Sequence, residues 1–152
     1  MLSLKAMEPI KIIECPRDAM QGIKTFIPTA RKVSYIQALL RVGFDSIDFG
    51  SFVSPKAIPQ MQDTAAVLDQ LDLSKTDSKL LAIIANVQGA KDAASHEPIQ
   101  YLGFPFSISE NFQMRNTHKT IAESLVTLQE ILEIADQNQK EVIAYLSMGF
   151  GN

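Results

Sequence analysis

Arg17 and Asp18 follow directly on a short apolar run, residues 10–15 (IKIIEC), and they are the first residues whose types and spacing could do chemistry. Carboxylate oxygen is the ligand that Mg2+ or Mn2+ prefers, and a guanidinium binds carboxylates and stabilises a developing enolate. Side by side after a strand, the two could hold a divalent metal and an anionic substrate together. They also suit a surface ion pair or a helix cap, and spacing alone leaves both open. Asp48 is the second such place, set inside the apolar run 46–52 (SIDFGSF). A carboxylate buried there needs a partner, so it is either a hydrogen-bonded structural group or part of a site. Gln21, Ser51, Ser54, Lys56, Asn86, Gln88, residues 107–111 and Ser147 complete the polar inventory beyond the apolar runs. Cys15 reads as a packed thiol rather than a nucleophile. His96 and His118 stand at no metal-ligand spacing from a carboxylate. There is no Gly-rich phosphate loop, no GxSxG and no zinc spacing.

Such groups need rigid elements behind them, and the chain alternates short apolar runs with longer amphipathic ones. Residues 10–15 read as a strand stopped by Pro16, which also keeps Cys15 extended. Thr29 offers an N-cap to a helix over 30–42, with Gly43 as its stop. A second strand is expected at 46–52 and a second helix at 61–71. The near-continuous apolar run 79–86 (KLLAIIAN) suits a strand covered on both faces. A short helix fits 89–96, and a fourth strand fits 101–107 despite Pro105, which lacks a ladder donor. Residues 117–138 form the strongest helix pattern, with Ile121, Leu125, Leu128, Leu132 and Ala135 expected on its inner face. A fifth strand follows at 142–148. Strands separated by helices make a parallel sheet through right-handed crossovers. Periodicity leaves open whether this is a doubly wound open sheet or part of a (β/α)8 barrel, which needs about 250 residues.

At 152 residues the chain has room for one domain, and its 46% hydrophobic and 20% charged residues are those of a soluble globular protein. A net charge of −3 with scattered Lys and Arg argues against nucleic acid as a partner. A single cysteine excludes an internal disulfide framework and fits a reducing compartment. No run suits a secretory signal or a membrane span, so a cytoplasmic protein without a membrane partner is expected.

Three segments carry a family resemblance. IKIIECPRDAMQ, residues 10–21, resembles the strand and RDG-x-Q signature of the DRE-TIM metallolyases. SIDFGSFVSPKAIPQM, residues 46–61, is similar to 3-hydroxy-3-methylglutaryl-CoA lyases specifically, through SFVSPK and PQM. The tail YLSMGFGN resembles the fifth strand of that family, where Y-x-S leads into a Gly-rich turn. The resemblance runs from about Pro9 to Asn152. It implies residues 1–9 as an N-terminal extension and 10–152 as the first part of a (β/α)8 TIM barrel.

The resemblance also implies an activity: a retro-Claisen cleavage of 3-hydroxy-3-methylglutaryl-CoA to acetyl-CoA and acetoacetate, a step of leucine degradation and ketone body formation. It implies a divalent metal cofactor (Mg2+ or Mn2+) and an acyl-CoA partner. The unpaired edges and open inner face of a partial barrel invite association, so a homo-oligomer is expected. Carried over residue by residue, Asp18 is the metal ligand and Arg17 holds the enolate as charge builds. Asp48 stands where the family has a glutamate near the metal. Gln21 and Asn86 line the acyl pocket, and Lys24 meets the CoA phosphates or pantetheine. Three departures bear on this. The glycine of RDG is Ala19, strained if that backbone needs a positive φ. Asp48 is one methylene shorter than the family's glutamate. The family's H-x-H pair, its ligand asparagine and its acid cysteine belong to later strands, so the chain alone is expected to be inactive. The alternative is a non-catalytic half-barrel that binds an acyl-CoA or pairs with another half-barrel.

Overall fold

Leu80, Leu81, Ala82 and Ile83 are all buried, which a strand achieves only when both of its faces are covered. They belong to β3 (Lys79–Ile83), the middle strand of a five-stranded parallel sheet in a computed structural model that describes residues 10–151. The other strands are β1 (Ile13–Glu14), β2 (Ser46–Ser51), β4 (Ile99–Ser107) and β5 (Glu141–Ser147). The expected extension at 1–9, and Asn152, lie outside the described residues.

Strand order is β1-β2-β3-β4-β5, every pair parallel. A doubly wound sheet reverses its strand order at a switch point. Here there is no reversal, and the sheet curls into half of a (β/α)8 barrel. The helices are α1 (Pro16–Gln21), α2 (Thr29–Leu40), α3 (Thr64–Leu68), α4 (Val87–Ala94), α5 (Glu110–Thr117) and α6 (Ile121–Gln137), with a 3-10 turn at Pro59–Met61.

The strand period of two divides the apolar residues between two cores. Ile47 and Phe49 of β2, Leu80 and Ala82 of β3, and Leu102, Phe104 and Phe106 of β4 face the helices. There they meet Ile36 and Leu40 of α2, Val67 and Leu68 of α3, Ala90 and Ala93 of α4, and Ile131 and Ala135 of α6. Leu81, Ile83 and Tyr101 form the smaller inner core, with Val53, Ile143 and Tyr145 packed against it. Among the described residues, no helix is long and apolar enough to cross a membrane.

Several expectations change in the folded chain. Paired β1 is two residues long, and Pro16, expected only as a strand stop, opens α1, where its missing N–H costs nothing. Cys15 is exposed at the head of α1 and is not packed in the core. The helix expected at 117–138 is α6 (Ile121–Gln137), and a separate helix that the sequence did not announce, α5, precedes it. α5 ends at His118, which takes φ 57°, and α6 starts afresh at the Thr120–Glu123 capping box. The inner face of α6 is Ser124, Thr127, Ile131 and Ala135, whereas Leu125 and Leu132 are half exposed.

Gly89 allows α4 to touch the β2 side of the sheet, since a Cβ there would lie 2.6 Å from the backbone oxygen of Phe52. Gly→Ala inside an exposed helix stabilises by about 1 kcal/mol. Gly89→Ala is expected to do the opposite, costing about 1–3 kcal/mol through the backbone clash. Urea denaturation of the pair reads the sign.

Candidate active site

Asp48 points into the barrel from the middle of β2, with its side chain 1% exposed. A carboxylate there must be paired, and Arg17 pairs it. The β1–β2 register, Glu14 beside Ile47, brings the first turn of α1 level with Asp48. Arg17 Nε donates to both carboxylate oxygens at 3.1 Å, and Nη2 donates to Oδ2 at 2.6 Å. This is the forked geometry that makes Arg–carboxylate pairs directional. Nη1 donates to Asp18 Oδ1 at 3.2 Å and to Gln21 Oε1 at 2.8 Å. Gln21 Nε2 closes the ring by donating to Asp18 Oδ1 at 3.1 Å. A guanidinium carries five N–H groups, and this network leaves one, on Nη2, for a ligand.

The α1 helix is what groups these side chains. Arg17 and Gln21 are four positions apart on one face, so they meet over a single turn. Ala19 sits within that helix, its N–H donating to the Cys15 carbonyl at 3.3 Å. It is not among the residues with positive φ, so alanine carries no strain where the resembling motif has glycine.

Burial pushes the Asp48 carboxyl above its ordinary value, and Arg17 offsets this only in part. Burial works against the Arg17 charge, but the hydrogen bonds and charge of Asp48 more than reverse it and hold the guanidinium up. Asp18 is different. Its side chain is 64% exposed, and Oδ2 takes no hydrogen bond from the described residues, which leaves that oxygen open to a ligand.

These groups line a cleft of about 570 Å3 at the carboxyl ends of the strands, the side on which barrels of this kind place their chemistry. Arg17, Asp18 and Gln21 form one wall, Val53, Ala57 and Ile58 another, and Phe112, Asn116 and Thr117 of α5 overhang it. Gln113 anchors α5 there. It is 1% exposed, accepts from Ser107 N at 2.8 Å and donates to Ser124 Oγ at 2.6 Å. The cleft thus unites Arg17, Asp18 and Gln21, with Asp48 beneath them. Tyr145, Phe112 and Asn116 were not singled out as site residues from sequence. Tyr145 had a signal in the Y-x-S run, while α5 has no apolar stripe that would have revealed it.

Two expected site residues lie elsewhere. Asn86 caps α4, its Oδ1 accepting from Gly89 N at 2.8 Å, and it lines a separate cavity with Ser51, Phe52 and Gln88. A side chain spent on an N-cap is held away from the Arg17 cleft. Lys24 is exposed and borders a smaller hollow with Phe26, Pro59 and Gln60. Among the described residues, no group of three or more His, Cys, Asp or Glu is placed to hold a metal ion. Asp18 offers one free oxygen, and a divalent ion takes about six ligands. The described residues by themselves do not fit that cofactor.

No family model matches the chain. Similar proteins exist nonetheless. A mitochondrial hydroxymethylglutaryl-CoA lyase of Arabidopsis thaliana is 34% identical over 143 residues, covering 93% of this chain and 30% of that protein. The Bacillus subtilis HMG-CoA lyase structure superposes with TM-score 0.86 at 33% identity, covering 95% of this chain and 49% of that one. An HMG-CoA lyase of Acinetobacter baumannii, solved with coenzyme A and 3-methylmalate, matches with TM-score 0.85 at 32% identity, over 93% of this chain and 46% of that one. The chain therefore spans less than half the length of these relatives. Sequence, strand order and superposition agree that, over more than nine-tenths of its length, this chain is similar to the N-terminal half of the hydroxymethylglutaryl-CoA lyases.

Proposed function

We propose that the chain supplies the Arg17, Asp18 and Gln21 wall of a lyase site that cleaves 3-hydroxy-3-methylglutaryl-CoA or a close 3-hydroxyacyl-CoA. The observation that carries this reading is the Arg17 guanidinium, fixed by Asp48, Asp18 and Gln21, with one N–H left over a cleft at the carboxyl ends of the strands. In a retro-Claisen cleavage the tertiary alcohol loses its proton and the carbon–carbon bond breaks. The alkoxide becomes the ketone of acetoacetate, and the bond's electron pair passes to the thioester carbonyl as an enolate. The enolate takes up one proton, in place of the one the alcohol lost, to become acetyl-CoA. A guanidinium already held in place stabilises the enolate oxygen without reorganising as charge arrives. Asp48 and Gln21 set its angle, and the apolar wall of Val53, Ala57 and Ile58 excludes water. A divalent ion, when bound, polarises substrate oxygens. Asp18 would give it one ligand, and its other ligands would come from outside residues 10–151.

On this reading the chain alone is inactive, binds its thioester weakly and works in a reducing compartment such as the cytoplasm, as part of a homo-oligomer. The coenzyme A in the Acinetobacter structure supports the substrate class. The test is a chimera in which residues 10–147 replace the equivalent segment of the Bacillus lyase, assayed for acetoacetate release with MgCl2. The isolated chain should give no product above background, the chimera should give product, and Arg17→Gln in the chimera should lower kcat about 100-fold or more. A folded chimera without activity, or one indifferent to Arg17→Gln, overturns the reading.

A further inference from the structure

Gln113 is the one buried residue of α5, and it does not itself line the cleft. The large apolar residues of that helix, Phe112 and Met114, are 38% and 42% exposed, so little hydrophobic burial holds α5 down. Polar bonds do it instead. Both N–H groups of the Gln113 amide are used, Nε2 donating to Ser124 Oγ of α6 and to Thr117 Oγ1 in the last turn of α5, the latter at 3.1 Å. Oε1 accepts from the Ser107 N–H at the end of β4. Ser107 Oγ in turn accepts from the N–H of Ser109, the N-cap of α5, at 3.0 Å, and donates to the Ser147 carbonyl of β5 at 3.2 Å. Glu110 makes a second tie to α6, accepting from Ile121 N at 3.2 Å, but that bond is exposed to competing water. One buried amide therefore joins β4, α5 and α6. The residues of α5 that reach the cleft, Phe112, Asn116 and Thr117, stand on either side of it.

We propose that Gln113 is a positioning residue: by fixing the overhang of α5 it sets how tightly the cleft holds an acyl thioester, without touching the ligand. This rests on the thioester reading above and concerns a residue that reading leaves out. A hydrogen bond inside the protein is stronger than in water, and a buried partner left without one is costly. With the amide gone, the Ser107 N–H loses its acceptor and α5 has no apolar face to fall back on. The helix then opens locally while the sheet stays closed. A ligand must order the overhang again before it gains those contacts, and the cost shows as lost affinity.

The experiment titrates the full chain calorimetrically with 3-hydroxy-3-methylglutaryl-CoA in MgCl2, comparing wild type with Gln113→Met, Phe112→Ala and the double variant. Methionine keeps the volume and removes the hydrogen bonds. Gln113→Met should weaken binding about 3- to 10-fold. Phe112→Ala removes the largest side chain of the overhang, so in that background Gln113→Met should cost less, within about 2-fold. Losses that simply add overturn the proposal. So does equal affinity in wild type and Gln113→Met, because a residue serving stability alone leaves the affinity of the folded protein untouched. Should Gln113→Met not fold, Ser124→Ala removes one partner of the amide and is expected to weaken binding in the same direction; unchanged affinity there is equally fatal. Amide exchange separates this inference from the reading beneath it. In Gln113→Met the α5 amides should exchange at least about 10-fold faster, with β3 unchanged. If wild type binds the thioester and α5 exchange is the same in both proteins, only the role of Gln113 fails. If wild type binds no thioester, the thioester reading fails and the role falls with it.

Discussion

Arg17→Met should lower the free energy of unfolding by about 3–5 kcal/mol at neutral pH, the cost of leaving a buried carboxylate without its partner. Both members of the pair are well covered, with side-chain exposures of 12% for Arg17 and 1% for Asp48, so solvent screening does little to soften the loss. The double variant Arg17→Met, Asp48→Leu should recover much of it, since it removes the stranded charge as well as the partner. The pH dependence gives an independent check. Asp48 has a folded value above its ordinary 3.8, so the folded state takes up its proton more readily than the unfolded chain. Stability from this group is fully present below that ordinary value and is lost as pH rises through the higher folded one. Removing Arg17 takes away the opposing effect and moves the carboxyl higher still. The deficit of Arg17→Met should therefore shrink as pH falls from 7 toward 4. Urea midpoints measured across that range test it, and a pH-independent deficit would show that Asp48 is not the stranded group.

Asp63→Ala should cost a comparable amount, about 3–5 kcal/mol, at a buried pair that does not line the cleft. Lys32 of α2 is 2% exposed, and its ammonium is held by Asp63 Oδ1 at 2.5 Å, by the Gln60 carbonyl and by the face of Phe26, 4.2 Å to the ring centre. Asp63 also accepts from Thr29 Oγ1 at 2.7 Å. Without it, a buried cation keeps one carbonyl and one aromatic ring. Lys32→Met should cost less, because it removes the charge along with the contact. The same cluster explains the PQM segment. Gln60 Oε1 accepts from Ile27 N at 2.9 Å, and its Nε2 donates to the carbonyls of Ile23 at 2.9 Å and Thr25 at 3.0 Å. One side chain thus pins the loop between α1 and α2 that carries Lys24. Gln60→Ala should speed amide exchange at Ile27 before it alters exchange in β3, which a site-resolved exchange measurement would show.

The order of strands and helices was legible because period two and period 3.6 leave different marks, and β3 was plainest because both of its faces are covered. The α6 stripe shows where such reading stops. Its apolar residues include Ile121, Leu125, Val126, Leu128, Ile131, Leu132 and Ile134, a band too wide to reveal its own centre. The folded helix turns Ser124 and Thr127 inward, where Gln113 and Lys119 satisfy their hydroxyls, and leaves Leu125 and Leu132 half exposed. A partner from another element reversed what local hydrophobicity suggested. Asn86 was misplaced for a similar reason: an asparagine after a strand can line a pocket or cap the next helix, and the Gly89 N–H decided for the cap. Phe112 and Asn116 gave no warning, because Phe112 and Met114 are the only large apolar residues of α5 and do not form a stripe, and the helix is held by the single buried Gln113.

Composition, the βα alternation and the Arg-Asp pair after the opening strand are properties of neighbouring residues, so the sequence alone determined them, as it did the SFVSPK and PQM likeness. That Arg17 grips Asp48 across a separation of 31 positions was decided only in three dimensions, by the register that sets Glu14 beside Ile47. So was the cleft itself, for Tyr145 enters it from β5 over the missing side chain of Gly103. Local pattern records which face of an element is apolar. Which side chain meets which depends on how far one strand slides along the next, and that is set by the packing of the whole sheet.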